Sequence, residues 1–410
     1  MSELITHAGS TSLLKRVYRD GPPAHTALQI SKFLAEVRKD TAYEGEDYRV
    51  TVTIAAGSGV SADFATAKAN MSATSERQFA LGYRTLYSLC AIEGPAVRMS
   101  RTNKGSLARL LDHNVRNTTE KFNRALSAQI TSSAGGSLTR LTTATTVTNT
   151  YFTCAPTSHA SRFEVNDYLQ LASDDGTGAA PTALRTGRVR VTGVTYATGV
   201  IAVTPAISTG IVGAVNTDYV FREGDYGKAF TGIQGWVPIT APAGGDSFKG
   251  VNRSVCENKL AGLRFVGAGR PRLETIRDAL ADMAMTGANP DRLYTNPRDF
   301  SCIQGELGDK SWIALPNANP KLGHRGLSYE SPAGSLIIVS EPWIPEGYAW
   351  PLKLDTWTLH TAGECPSILN EDGTGRLHRL EGADAYELRI GAYGELECSE
   401  PGQNGVITWA

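Results

Sequence analysis

The sequence lacks the spaced residue sets on which most enzymes and metalloproteins depend. Its seven histidines are scattered, and neither H-E-x-x-H nor another metal-ligand spacing occurs. Gly57-Ser-Gly-Val-Ser departs from the G-x-S-x-G nucleophile elbow, and Gly224-Asp-Tyr-Gly-Lys departs from the phosphate-binding P-loop. The sequence therefore predicts no catalytic residues, no metal site and no cofactor site, so we do not expect an enzyme.

Long apolar runs, excess positive charge and paired cysteines are also missing. No stretch approaches the roughly 18 apolar residues of a membrane-spanning helix, and the first residues lack the pattern of a signal peptide. Lysine and arginine total 40 against 41 acidic residues, giving a net charge of −1, whereas dedicated nucleic-acid binders are usually basic. The six cysteines form no C-x-x-C pair, so we expect free, mostly buried thiols in a cytosolic protein.

A single long β-hairpin is predicted over residues 46–90, where apolar residues alternate with polar ones as in half-buried strands. Between the strands lies a Gly-, Ser- and Ala-rich stretch from Ala55 to Glu76. A structureless loop of that length is uncommon unless it is functional, and an isolated two-stranded ribbon is marginal in water. We therefore expect the ribbon to lie on another surface; a surface hairpin with a mobile tip is the alternative. The alternating residues are Tyr48, Val50, Val52 and Ile54, then Phe79, Leu81, Tyr83, Tyr87 and Leu89.

The longest predicted helix covers residues 103–132, within the segment 101–136. One apolar stripe follows helical spacing, and three arginines fall on roughly the opposite face. These arginines could contact DNA phosphates, or they could form a solvated face with ion pairs one turn apart, such as Arg116–Glu120 and Glu120–Arg124. The stripe comprises Leu107, Leu111, Val115, Thr118, Phe122 and Leu126, and the arginines are Arg109, Arg116 and Arg124.

The remaining segments differ in character. Residues 1–44 suggest an arm with short helices, one of them within 27–38. Residues 137–225 are rich in Thr, Val and Gly, and their short strands between turns predict a small barrel or sandwich. Residues 226–410 mix a helix over 273–285 with short strands, so the chain as a whole is predicted to be α+β.

Several short motifs in the C-terminal half carry a family resemblance. With the order of the elements, they resemble the major capsid proteins of tailed bacteriophages, a fold shared with encapsulins and the herpesvirus capsid floor. The motifs are Phe248-Lys-Gly-Val-Asn-Arg-Ser-Val, Lys259-Leu-Ala-Gly, Thr286-Gly-Ala-Asn-Pro-Asp-Arg-Leu, Asn296-Pro-Arg-Asp-Phe and Asp384-x-Tyr386-Glu-x-Arg389.

The resemblance implies an architecture for each segment. An N-terminal arm (1–44) would precede an extended hairpin loop with flanking strands (45–100) and the spine helix of a peripheral domain (101–136). A β-rich insertion (137–225) would follow, and then the central axial domain with returning peripheral strands (226–410). The extended loop would lie over a neighbouring subunit through Tyr48, Val50, Val52, Ile54, Lys68, Phe79, Leu81 and Tyr83.

The resemblance also implies a function. The chain would assemble with itself as pentamers and hexamers into an icosahedral head around double-stranded DNA, held by non-specific contact, through a procapsid that expands. Because only residues 1–44 precede the loop, we expect a separate scaffolding protein, together with a portal, possible decoration proteins and no membrane partner. The protein would be part of the virion, after assembly in the bacterial host cytoplasm.

Three points remain expectations from the sequence alone. Some relatives join a loop lysine to an asparagine of another subunit, but for Lys68 we predict no cross-link. Deleting residues 55–76 should block closed shells and leave a folded subunit. Two alternatives stay open, namely an encapsulin-like compartment that holds protein cargo and a tail-associated protein that binds glycans through residues 137–225.

Overall fold

The computed structural model describes residues 31–95, 110–133, 135–142, 145–177, 183–307, 327–332, 334–369, 378–380, 382 and 384–409. Helices and strands are mixed along the chain, so the fold is α+β, as the sequence predicted. Two compact units are present. Among the described residues, the smaller unit draws on 88–121 and 368–390, and the larger unit on the rest.

The helices are short except for one. They are α1 (Lys32–Glu36), α2 (Phe64–Ala69), α3 (Leu110–Ile130), α4 (Ile207–Gly210), α5 (Ile233–Trp236), α6 (Glu257–Leu260), α7 (Arg272–Met285) and α8 (Pro297–Leu307). Single 3-10 turns occur at Thr157–Arg162, Arg253–Val255, Leu354–Thr356 and Pro401–Gln403.

The strands fall into three groups along the chain. The first group is β1 (Arg38–Asp40), β2 (Asp47–Ala55), β3 (Ser75–Gly82) and β4 (Arg84–Glu93). The second is β5 (Ser137–Leu141), β6 (Tyr151–Ala155), β7 (Tyr168–Ala172), β8 (Thr186–Gly187), β9 (Val189–Thr195), β10 (Val200–Thr204), β11 (Ile211–Val212) and β12 (Tyr219–Arg222). The third is β13 (Leu263–Val266), β14 (Arg292–Thr295), β15 (Leu327–Ser331), β16 (Gly334–Ser340), β17 (Tyr348–Leu352), β18 (Trp357–Thr361), β19 (Ser367–Ile368), β20 (His378–Arg379), β21 (Ala385–Cys398) and β22 (Gly405–Thr408).

The Thr- and Val-rich segment forms a closed barrel with the strand order β10-β6-β5-β12-β7-β9. All neighbouring pairs are antiparallel. Inward-facing apolar side chains fill the interior, where the rings of Phe152 and Phe163 meet edge to face at 5.8 Å. Closure satisfies the hydrogen-bonding groups that an open sheet would leave at its edges. The strands predicted here by the sequence thus form a barrel and not a sandwich.

A mixed sheet with the order β13-β22-β17-β14-β16-β15 organises the C-terminal half. Helix α7 packs on it through Ile276, Leu280 and Met283, which recur at three- and four-residue spacing and are fully buried. This helix begins and ends within one residue of the prediction for 273–285. Leu336 and Ile338 of strand β16 are also buried in this core.

The hairpin is shorter than the alternation suggested. Strands β2 and β3 pair with each other and end at Gly82, whereas β4 pairs with the long strand β21 in a second sheet built on β1, β18 and β21. The prediction of a single hairpin over 46–90 was therefore wrong beyond Gly82. Side-chain alternation continues through β4, and alternation alone does not reveal which strand is the partner.

Helix α3 is the longest among the described residues. It runs from Leu110 to Ile130, and the predicted start at 103–109 lies outside the described residues. Thr118, Phe122 and Leu126 of the predicted apolar stripe are buried. No helix in the described part of the chain is long and apolar enough to cross a membrane.

All six cysteines are free thiols, as predicted, but most of them are not buried. Cys154 and Cys398 are buried, Cys302 is exposed, and the remaining thiols are intermediate. Burial raises the pKa of Cys154 to about 12, so its unreactive thiol form persists at neutral pH.

Candidate functional site

The β2–β3 hairpin has its strongest apolar contacts at its base. The two strands pair from Asp47 opposite Gly82 to Ala55 opposite Ser75, with a register irregularity near the tip. Val50 lies directly across from Phe79, and both side chains are buried. This cross-strand pair places one face of the ribbon inward.

Aromatic packing anchors that inward face to the same chain. The Phe79 ring meets Trp236 edge to face at 5.1 Å and Phe248 at 6.2 Å. The Ala80 backbone N–H donates to the Lys249 carbonyl oxygen at 3.0 Å. Since a two-stranded ribbon is marginal alone, these contacts account for its stability.

The residues predicted to form one inter-subunit surface divide into two groups. Val50, Val52, Phe79 and Leu81 are buried within the chain, so their side chains do not face a neighbouring molecule. Tyr48 and Tyr83 are 42% and 57% exposed, Lys68 is exposed and Ile54 is intermediate. The first group therefore belongs to the subunit's own core and not to an inter-subunit surface, whereas contact of the second group with a neighbouring subunit stays a prediction.

The tip of the hairpin, residues 56–74, is folded and not structureless as the composition suggested. Helix α2 lies within it, and the Asp63 carboxylate accepts a hydrogen bond from the Thr66 backbone N–H at 2.8 Å, capping the helix. A Cβ atom on Gly59 would lie 1.9 Å from the Ala67 carbonyl oxygen, and one on Gly57 would lie 2.4 Å from the Thr74 nitrogen. The two glycines therefore allow the tip to close tightly on itself.

Large apolar side chains project from this folded tip. Val60 is 87% exposed, Phe64 is 83% exposed and Met71 is 67% exposed. Single exposed apolar residues are ordinary, but several on one short projecting segment indicate a contact surface. The sequence interpretation missed them, although large apolar residues stand out within this Gly-, Ser- and Ala-rich stretch.

A buried ion pair between Lys249 and Glu395 supports the base of the hairpin. The Glu395 carboxylate of β21, fully buried, accepts hydrogen bonds from Lys249 Nζ at 2.6 Å and from the Thr231 backbone N–H at 2.8 Å. Arg84 Nε lies 3.6 Å away. Because Lys249 also holds Ala80 through its carbonyl oxygen, the pair connects β21 with the hairpin.

The described end of the arm docks on the same core. The Phe33 ring lies between Tyr294 and Trp357, with both centroids 5.5 Å away. The buried Glu341 carboxylate accepts hydrogen bonds from the Lys32 backbone N–H at 2.6 Å and the Ser31 hydroxyl at 3.0 Å. Burial is the main cause that raises the pKa of Glu341. The helix predicted within 27–38 is α1, and residues 1–30 lie outside the described residues.

The arginines proposed to face DNA have different surroundings. Arg109 lies outside the described residues. The Arg116 side chain is 72% exposed and pairs with Glu120 at 3.0 Å, as the solvated-face interpretation expected. Arg124 is a correction, since its Nη2 donates to the carbonyl oxygens of Ser161 at 2.6 Å and Phe163 at 2.5 Å. These bonds join α3 to the barrel and leave Arg124 unable to face DNA.

Among the described residues, no group of three or more His, Cys, Asp and Glu side chains is arranged to hold a metal ion. The features that bring distant residues together are the docked arm, the anchored hairpin and its apolar tip.

Comparison with known proteins gives matches among solved structures. No family model and no curated protein matches the sequence. Among solved structures, the chain is similar to one from the cyanophage A-1(L) capsid asymmetric unit, at 9% identity and a TM-score of 0.57 over 97% of both chains. The capsid of the native GTA particle gives 9% identity and a TM-score of 0.51 over 100% of both chains. That of the empty GTA particle gives 10% identity and a TM-score of 0.50, covering 100% of this chain and 99% of that chain.

Proposed function

We propose that this chain, which has the phage major capsid fold, is a major capsid protein that assembles with itself into an icosahedral head. The observation that carries the proposal is the likeness to the cyanophage A-1(L) capsid chain, which covers 97% of each chain and so includes the hairpin. A projecting hairpin with a rigid base and an apolar tip suits contact with a second copy.

The work of such a protein is mechanical. Fully burying one large apolar side chain contributes roughly 1.5–3 kcal/mol, so the tip residues Val60, Phe64 and Met71 supply only a modest attraction per contact. In a symmetric shell of pentamers and hexamers, the same contact recurs at every subunit, and weak contacts sum to a stable particle. The anchored base keeps each tip pointing in a defined direction.

The proposed contents are double-stranded DNA held without specific contacts. A net charge of −1 suits a container that encloses DNA without gripping it. With Arg124 occupied by backbone carbonyls, Arg116 is the described arginine of α3 that is open to solvent. A separate scaffolding protein, a portal, decoration proteins and assembly in the host cytoplasm belong to the same proposal.

Electron microscopy of the purified recombinant chain tests the proposal. We expect closed shells, or rings of five and six subunits, because the assembly information lies in this chain's own surfaces. Negative staining would show them, and sedimentation velocity would give their mass. A uniform small oligomer at every salt concentration would count against a capsid protein. Nuclease-protected DNA in native particles, in place of a protein cargo, would separate a phage head from an encapsulin-like compartment.

Lys68 should form no covalent bond between subunits. It lies exposed on α2, whereas a lysine that attacks an amide must be buried to lose its proton readily. On a denaturing gel, mature shells should give a monomer band, and Lys68→Arg shells should look the same. A ladder of covalent oligomers that disappears in the Lys68→Arg variant would contradict this prediction.

A further inference from the structure

A buried histidine joins three segments at the base of the hairpin. His360 of β18 has a side chain only 6% exposed. Its Nδ1 lies 3.1 Å from the Asp40 carboxylate of β1, and its Nε2 contacts the Glu397 carboxylate of β21. The Tyr48 ring of β2 packs on the imidazole with a centroid distance of 4.5 Å. A strand of the arm and the first strand of the hairpin therefore meet at one titratable group.

The geometry requires a particular protonation state. A neutral imidazole has one N–H donor, whereas the imidazolium has two. Two ionised carboxylates can only accept hydrogen bonds, so both contacts of His360 are satisfied at once only when both ring nitrogens carry protons. Loss of one proton leaves a nitrogen lone pair facing a carboxylate.

The balance of surrounding effects agrees with that geometry. Burial, the largest single influence, lowers the pKa of His360, but the hydrogen bonds and charges of Glu397 and Asp40 together raise it above the ordinary 6.5. The pKa of Asp40 is lowered, first by the Ala42 backbone N–H and then by His360 and Arg38.

Other charged groups near His360 have their own partners. Glu395, which lies opposite His360 in the β18–β21 register, is paired with Lys249 and Arg84. The charge of Glu397 is the main cause that raises the pKa of Tyr48, so the phenol stays neutral through the range in which His360 titrates. His360 is thus the group that changes charge in this cluster near neutral pH.

We propose that His360 is a pH-sensitive latch, which holds β1, β2 and β21 together while its imidazole is protonated and loosens β1 and β2 when the proton is lost. Strand β1 lies in the arm and β2 carries the hairpin, so one protonation event sets how firmly both are held. The latch acts within the isolated chain, so it stands or falls independently of shell formation.

The direction of the pH effect follows from the shifts. Because the folded pKa of His360 is raised, its stabilising contribution is complete below pH 6.5 and is lost as the pH rises through the folded value. At acid pH the limit is set by Asp40, whose pKa is lowered in the folded state. Its contribution to stability is present above the ordinary pKa of 3.8 and is lost as the pH falls through the pKa of the folded state. The latch is therefore strongest between about pH 5 and 6.5.

Hydrogen exchange of the full chain, read by mass spectrometry, tests the latch. Rates are corrected for intrinsic exchange and measured across a pH series from pH 6 to pH 9, whose midpoint reports the titration. In the wild type, protection of peptides from 38–43 and 47–55 should fall about tenfold at pH 9, since charge-assisted hydrogen bonds are lost. Protection of barrel peptides from 189–204 should stay constant, which controls for global loosening.

Two variants make the test specific to His360. His360→Gln should show low protection of 38–43 and 47–55 throughout the pH series, whereas His378→Gln, at a histidine bonded to the Leu369 carbonyl oxygen, should keep the wild-type profile. Glu397→Gln retains an acceptor oxygen but loses its charge, so it should move the midpoint to lower pH. Wild-type pH dependence in His360→Gln, or an unmoved midpoint in a folded Glu397→Gln chain, would overturn the proposal.

Discussion

Closed shells should disappear when residues 56–74 are replaced by an Asn-Gly turn. The replacement removes the apolar tip but keeps the whole β2–β3 ladder, because Ala55 and Ser75 are its last paired residues. Asn-Gly suits a two-residue turn between antiparallel strands. We expect the subunit to stay folded, since Phe79 and its aromatic partners are unaffected. Negative-stain microscopy and sedimentation velocity would show soluble subunits or small rings in place of shells.

A milder variant removes the apolar side chains of the tip without shortening the hairpin, so it separates these two effects. Substituting serine at Val60, Phe64 and Met71 leaves the backbone of the tip intact and should sharply reduce the yield of closed shells. The matched control substitutes serine at Val212 of β11 and at Val215 in the loop that follows, which are both exposed, and we expect normal shells from it. Normal shells from the turn replacement itself would contradict the role assigned to the tip.

The Glu395→Ala variant should lose about 3–5 kcal/mol of stability, the usual result of removing one partner from a buried ion pair. It leaves Lys249, whose side chain is 9% exposed, without its carboxylate and leaves the Thr231 N–H without its acceptor. For a chain of 410 residues, the thermal midpoint should fall by roughly 4–6 °C. Thermal unfolding followed by circular dichroism measures the shift.

Two comparisons identify the cause of that loss. Glu223→Ala removes an exposed partner of Arg188, at 2.9 Å, and should change stability by less than about 1 kcal/mol. Combining Glu395→Leu with Lys249→Met should recover part of the lost stability, because this pair then leaves no buried charge unpaired. Equal effects of Glu395→Ala and Glu223→Ala would be inconsistent with the burial argument.

Local patterns in the sequence were sufficient to predict those helices and strands that pack one face against a neighbouring surface. Helix α7 was predicted within one residue at each end because its apolar stripe and its terminal residues are local signals. The alternation in β2 and β3 was read correctly for the same reason. These elements were enough to predict the α+β class. The capsid fold was predicted from the family resemblance of the short motifs.

Features that depend on distant partners were not accessible in this way. Closure of the barrel rests on pairs such as Arg140 with Tyr219, and nothing local specifies them. Helical spacing predicted the face of α3 on which Arg124 lies. It did not predict that Arg124 donates hydrogen bonds to the carbonyl oxygens of Ser161 and Phe163. The tip helix was missed although Asp63, three residues before Thr66, is a recognisable cap signal.

The barrel begins and ends at a single place, since Ser137 of its first strand pairs with Phe221 of its last strand. An insertion whose two ends are neighbours can be gained, lost or exchanged without moving the chain on either side. We therefore expect that another fold can be substituted between these two adjoining ends, for example to display a foreign domain on a particle.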